Sequence, residues 1–362
     1  MEEPDLIIIT DLPPNTGIGT YAYDLFESLK RAGKNVAFLY TGYGHLKIDK
    51  GIIDYKRIES NGGYFSKAFA KWLNQRQITK LNIFQENNIH LCGTSYSLSR
   101  FTENTIATVH DLYFIKPKKS QLWDKDIMIT YTAYDFTVLK NMIDLKNIKN
   151  LISISDETRK QVLSKTNKDS TVIYHWINKQ RFHPRNKAES RNILNLPLNK
   201  KIILNVSGNG PNKNLELVTS IADRLPEGWI LVKVGHPISA KNVINIGKLG
   251  RDTYPFLFNA ADVYLHASTF EGFGIPLIES MASGLPVIAS NTPSSKEVLG
   301  AKSTYFDFSE SPEDIFLKIQ DMTRKENYDE LVNLSLYRSE LFSESKAISQ
   351  YIDFYRKAIG IF

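Results

Sequence analysis

Short runs rich in isoleucine and valine alternate along this chain with segments of helical period, and this alternation constrains the fold more than any other feature. Leu6 to Ile9 precedes a helical stretch from Tyr21 to Ala32, which leads into Val36 to Tyr40. Comparable runs stand at Ile106 to Val109, Leu151 to Ile154, Ile202 to Val206, Trp229 to Val234, Val243 to Ile246, Val263 to His266 and Val287 to Ala289. Strands covered on both faces read as continuous apolar runs, and strands joined through helices pair in parallel. The pattern therefore predicts an α/β chain with doubly wound parallel sheets.

At 362 residues the chain exceeds the size at which one hydrophobic core usually stops growing, and its 42% hydrophobic content suffices for two. A polar stretch from Arg181 to Leu198, containing Pro184 and Pro197, precedes a fresh strand at Ile202. This places one domain over residues 1–185 and a second over 186–344, facing each other across a cleft. In the remaining segment, 345–362, Ala347, Ile348, Tyr351, Ile352, Tyr355 and Ala358 recur at helical spacing, which predicts an amphipathic closing helix.

The single cysteine, Cys92, excludes an intrachain disulfide and a cysteine-rich zinc site, and it fits a reducing compartment, with the cytoplasm expected. The acidic start Met1-Glu-Glu-Pro-Asp5 runs directly into Leu6, so neither a signal peptide nor a membrane span is expected. A formal charge of +6 is compatible with nucleic acid, an anionic membrane or a solvated surface. No zinc-finger spacing, RNA-binding aromatic motif or Arg-rich tract accompanies it, so nucleic acid is not an expected partner.

The most informative block runs from Thr269 to Ala289 and reads Thr-Phe-Glu-Gly-Phe-Gly-Ile-Pro-Leu-Ile-Glu-Ser-Met-Ala-Ser-Gly-Leu-Pro-Val-Ile-Ala. Glu271 precedes a Gly272-Phe273-Gly274 turn, Pro276 supplies the fixed φ suited to a first helical position, and Glu279 falls about one turn into the helix. A helix N-terminus offers exposed N–H groups and a positive dipole end to a phosphate, and glycines allow close approach. Carboxylates on either side suggest hydroxyl groups as the neighbouring ligand, hence a sugar joined to a phosphate. Ligands of open α/β sheets bind beyond the carboxyl ends of the strands. Gly17-Ile-Gly19, His110, the segment Ser207-Gly208-Asn209-Gly210-Pro-Asn-Lys213 and Glu271 all follow predicted strands.

The Glu271 to Glu279 block resembles the Glu-x7-Glu motif of the large retaining glycosyltransferase family four. That resemblance implies a GT-B architecture of two Rossmann-like domains, with the last helix packing back on the N-terminal one. It implies metal-independent transfer from a nucleotide-diphosphate sugar held mostly by the C-terminal domain. Glu271 would hold the transferred sugar, the backbone of Gly272, Phe273, Gly274 and Ile275 the sugar and phosphate, and Glu279 the ribose. The turn at Gly17 and Gly19 resembles the family's Gly-Gly-Ile-Gly-aromatic approach to the diphosphate and acceptor, with Thr16 in place of the first glycine. Lys213 resembles the basic residue that meets the diphosphate beside Gly208 and Asn209, while Ser207 and Asn212 stand where the family often has arginine. Lys248 and Leu249, in Gly247-Lys-Leu-Gly-Arg251, sit where the nucleotide base rests on backbone atoms. Arg181-Phe-His-Pro184 resembles the family's interdomain segment.

His110 reads either as a satisfied histidine at a strand end or as a donor-sugar contact, the role of the family's matching histidine. Catalytic roles are thus expected of His110, Glu271 and Lys213, with a glycan or lipid-linked acceptor and GDP-mannose favoured over UDP-sugars as donor. No cofactor and no metal are expected: Asp124-Lys-Asp126 lies far in sequence from the nucleotide-binding segments and follows no predicted strand. Tyr64 to Leu81, with Phe65, Phe69, Trp72 and Leu73 beside Lys67 and Lys71, reads either as a helix packed on the sheet or as a peripheral contact with an anionic membrane. A nucleotide-sugar epimerase of the same architecture and a non-catalytic sugar-nucleotide binder are the alternatives.

Overall fold

The computed structural model describes residues 3–10, 12, 16–40, 46–48, 51–53, 87–93, 103–112, 145–247 and 249–362. The segment 64–81, Asp124, Asp126 and Lys248 therefore lie outside the described residues. The chain forms two compact units, Met1–Tyr174 with Ala347–Phe362, and His175–Lys346.

In the first unit, β1 (Leu6–Thr10), β2 (Val36–Tyr40), β5 (Ile89–Leu91), β6 (Thr105–Val109), β7 (Asn150–Ser153) and β8 (Thr171–Val172) form a parallel sheet in the order β2-β1-β5-β6-β7-β8. A short antiparallel pair, β3 (Leu46–Ile48) and β4 (Gly51–Ile53), stands apart from it. Every residue of β1, β5 and β6 is buried, including the polar His90, Thr105 and Thr108, as expected of strands covered on both faces. The first helix spans Gly17–Arg31, and the Thr16 hydroxyl caps it by accepting the Gly19 N–H at 3.2 Å. The glycine turn expected ahead of Tyr21 is thus the first turn of the helix itself.

The closing helix, Glu344–Ile359, buries Ala347, Ile348, Tyr351 and Tyr355. From Ala347 onward it belongs to the first unit, where a buried polar network ties it to the sheet. The Tyr351 and Tyr21 hydroxyls share a hydrogen bond of 2.5 Å, Tyr21 bonds Thr108 Oγ1 at 3.0 Å, and His90 joins Thr108 Oγ1 and the Tyr355 hydroxyl, each at 2.7 Å. Burial pushes the His90 imidazole down to about 3, so it is neutral at physiological pH.

In the second unit, β9 (Lys201–Ser207), β10 (Trp229–Gly235), β11 (Val243–Ile246), β12 (Val263–His266), β13 (Val287–Ser290) and β14 (Thr304–Phe306) form a parallel sheet in the order β11-β10-β9-β12-β13-β14. Ile203, Leu231, Val263, Leu265 and Ile288 meet Val218 and Ile221 from helix Leu215–Asp223, and Ile315 and Ile319 from helix Pro312–Met322, in one core. Strand order reverses direction between β9 and β12, which is the switch point where open α/β sheets bind ligands.

The break between units falls at Tyr174/His175 rather than at the 185/186 boundary read from the polar stretch. Residues 175–185 are tied to the second unit: the Ile177 N–H donates to the Phe342 carbonyl at 2.9 Å and the Arg185 N–H to Asn259 Oδ1 at 2.6 Å. The Phe182 ring also packs edge-on against Phe258. The polar stretch itself contains a helix, Lys187–Ile193, started by the Asn186 side chain, which accepts the Glu189 N–H at 3.0 Å.

Candidate functional site

The second unit brings its sequence-predicted residues together around the switch point. Lys213 closes a short 3-10 turn, Pro211–Lys213, after β9, and Glu271 stands in the loop after β12. Asn212 ties the two loops: its carbonyl accepts the Thr269 N–H at 2.8 Å, and its side-chain amide donates to the Phe270 carbonyl at 2.8 Å. This clasp delivers the Lys213 ammonium onto the Glu271 carboxylate, where the two form a hydrogen-bonded ion pair. Burial works against the charge on Glu271, but Lys213 in contact and His266 nearby outweigh it and hold the carboxyl below the ordinary glutamate value.

His266 ends β12 and was legible only as the last residue of an apolar run. It is 5% exposed, and its Nε2 is buried without a hydrogen-bond partner among the described residues. Burial pushes it down to about 4, with Glu271 pulling upward and Lys213 downward, so the imidazole is neutral at physiological pH. A Cβ added at Gly274 would stand 3.8 Å from its Cε1.

Helix Ile275–Ala282 begins at Gly274, whose φ of 95° is a left-handed conformation that glycine adopts without strain. A Cβ there would meet Leu277 Cδ1 at 2.8 Å, so the turn requires glycine. Among the described residues no side chain caps this N-terminus. Pro276 carries no N–H and the Leu277 N–H donates to the Gly274 carbonyl at 2.9 Å, so the backbone at Gly274 and Ile275 is the part of the turn that faces a ligand. The Phe273 ring is buried, packed between His175 at 5.2 Å and Phe342 at 5.5 Å, so this position offers a ligand only its backbone. Glu279, 8% exposed, accepts a hydrogen bond of 2.9 Å from the Tyr254 hydroxyl, a contact absent from the sequence reading. Burial and the adjacent Glu279 charge raise Tyr254 well above its ordinary value, so it remains a donor.

Gly208 and Asn209 are exposed in the loop after β9, and nothing lies within 4 Å of a Cβ added at Gly208. Gly210 is more constrained, because a Cβ there would approach Asn212 Oδ1 to 2.6 Å and disturb the clasp. Leu249 is half-buried beyond β11, two strands from β9 at the same end of the sheet.

In the first unit, Gly17 is exposed and Gly19 buried in the opening turn of their helix. His110 follows β6 and is 6% exposed. Tyr21, two residues beyond Gly19, packs its ring edge-on to the His110 imidazole with centroids 4.8 Å apart. The aromatic residue after the glycine turn therefore fixes the orientation of the histidine.

Among the described residues no group of three or more His, Cys, Asp or Glu side chains could hold a metal ion, and no helix is long and apolar enough to cross a membrane.

Residues 186–334 match the family described as glycosyl transferases group 1. The chain is 23% identical over 327 residues to the O-antigen chain mannosyltransferase B of Escherichia coli, covering 79% of this chain and 82% of that protein. It is 26% identical over 283 residues to the O-antigen chain mannosyltransferase RfbU of Salmonella typhimurium, covering 72% and 73%. Its fold is similar to that of sucrose-phosphate synthase from Thermosynechococcus elongatus, with a TM-score of 0.75 at 17% identity and 98% of each chain covered. That likeness, with the two parallel sheets, identifies two Rossmann-like domains of GT-B type.

Proposed function

We propose that this chain, whose residues 186–334 match the group 1 glycosyl transferases, is a retaining, metal-independent hexosyltransferase using a nucleotide-diphosphate sugar. The observation that carries this reading is the Lys213–Glu271 pair at the β9/β12 switch point, beside an uncapped helix N-terminus. A cation and helix N–H groups suit a diphosphate, and a charged carboxylate suits sugar hydroxyls. Glu279, with Tyr254 as its donor, takes the ribose, and the backbone of Gly272 to Ile275 takes the sugar and phosphate.

In the proposed reaction the bond between the anomeric carbon and the diphosphate oxygen breaks, and the leaving group departs with the electron pair. The acceptor oxygen bonds to the anomeric carbon on the same face, and its proton passes to the departing phosphate oxygen. Lys213 stabilises the charge developing on that oxygen more in the transition state than in the ground state, which is the condition for acceleration. With Glu271 holding sugar hydroxyls and Glu279 bonded to Tyr254 and assigned to the ribose, no second carboxylate is assigned to double displacement. His110 keeps the role of a sugar-hydroxyl contact.

Mannose is the favoured sugar, supported by the two mannosyltransferase relatives, with GDP-mannose as donor and a glycan or lipid-linked acceptor. A cytoplasmic protein touching an anionic membrane through residues 64–81 would meet such an acceptor at the bilayer surface. Nuclear magnetic resonance of the product formed on a synthetic acceptor tests the mechanism. We expect the anomeric configuration of the donor to be kept, and an inverted product would overturn same-face attack.

A further inference from the structure

Lys233 is an unusual residue of the second unit. It lies in β10, is fully buried, and stands in register opposite Asn205 of β9. Its ammonium donates to the Ser207 carbonyl at 2.7 Å and to the Val234 carbonyl at 2.9 Å. Among the described residues no carboxylate pairs with it. Lysine is rarely buried without one, because removing an ammonium from water is costly unless the charge is compensated. Burial pushes Lys233 down to about 8 and the neighbouring Lys213 pushes in the same direction, so at neutral pH it stays charged with another cation close by. An anion bound at this place would relieve both.

The lysine also governs the loop above it. Its target, the Ser207 carbonyl, accepts a second hydrogen bond of 3.0 Å from the His236 N–H. A Cβ at Gly235, where φ is 96°, would fall 2.5 Å from that same oxygen, so glycine permits the close approach. A peptide is planar and trans, so its C=O and N–H point in opposite directions. Pinning the Ser207 carbonyl onto Lys233 therefore turns the Gly208 N–H the other way, at an exposed glycine with open space around it. Within the segment 207–213 the only basic side chain is Lys213, and its charge is matched by Glu271.

We propose that Lys233 is the second cation of the diphosphate site: it holds the Ser207 carbonyl so that the Gly208 N–H faces the phosphates, and it adds its positive charge to that of Lys213, which Glu271 partly offsets. This rests on the reading of the second unit as the donor-binding unit. Lys233 acts as a positioning and electrostatic residue, and its effect grows with the number of phosphates on the ligand.

The test is equilibrium titration of the full chain with GDP, GMP and guanosine, in the wild type and in Lys233→Met, with thermal melts alongside. We expect GDP to bind roughly 10-fold or more weakly to the variant, the scale of one lost charge contact at partly screened distance, with GMP less affected and guanosine unchanged. Lys233→Gln, which keeps a polar donor and removes the charge, should show the same ordering, so a poorly folding methionine variant does not decide the matter. Equal weakening of all three ligands in a folded variant, or unchanged GDP affinity, overturns the proposal. Failure of the wild type to bind GDP, UDP or ADP would instead overturn the donor-site reading beneath it.

Discussion

Glu271→Ala should abolish sugar transfer while preserving, or tightening, the binding of free nucleoside diphosphate. Glu271 is charged, mostly buried and paired with Lys213. Removing the carboxylate deletes the group proposed to hold the transferred sugar, and it releases the Lys213 ammonium to meet the diphosphate unopposed. The lysine is 26% exposed, so solvent can take over part of the lost pairing and the fold should survive. We expect turnover to fall by ~10²–10³, as when one fixed contact to a reacting group is lost, with GDP affinity at or above wild type. Steady-state assays of donor turnover combined with nucleotide titration check this. Equal loss of turnover and nucleotide affinity would make Glu271 a structural residue of the site.

The second large effect concerns stability, and its target is Asp262. This carboxylate, 5% exposed, accepts from Lys187 at 2.9 Å, from buried Arg191 at 2.8 Å and from the Ile202 N–H at 2.8 Å. Arg191 also donates to the carbonyls of Ala260, Pro197, Leu198 and Lys200, so it fastens the loop ahead of β9 to the end of the Phe256–Ala260 helix. Asp262→Ala would strand a guanidinium that cannot lose its charge in a site closed to water. Removing one partner of a buried pair typically costs ~3–5 kcal/mol, which for a unit of this size lowers the melting temperature by roughly 10 °C. Calorimetry of the full chain measures it, and a change within about 1 kcal/mol would show that the network relaxes around the loss.

Fold and site were legible to different depths. The strands β2, β11 and β12 begin and end where the apolar runs do. Of these, β12 is buried throughout, as a strand covered on both faces is, whereas β2 and β11 are edge strands. Strand β5 was missed since His90 interrupts its apolar run, and only the tertiary partners Thr108 and Tyr355 make that histidine acceptable in a core. Strand β8 has two residues, too few for any period to show. The helix Lys187–Ile193 was hidden by the prolines around it, although Asn186 and Glu189 stand at cap spacing. In the site, Glu271, Glu279 and Lys213 could be found because a glycine-rich strand end is a local signal. Lys233, His266 and Tyr254 could not, since each acquires its meaning from burial and from neighbours on other strands and loops. The break between units was misplaced because the polarity of residues 181–198 comes from a surface helix rather than from a linker.

The central claim is that the second unit binds a nucleotide-diphosphate sugar without a metal ion. Titrating the full chain with GDP-mannose and UDP-glucose in EDTA tests it most directly. The account predicts saturable binding in the ~1 μM–1 mM range typical of enzyme substrates, competed by the free nucleoside diphosphate. Absence of binding for every nucleotide sugar, or binding that appears only when magnesium is added, would contradict it.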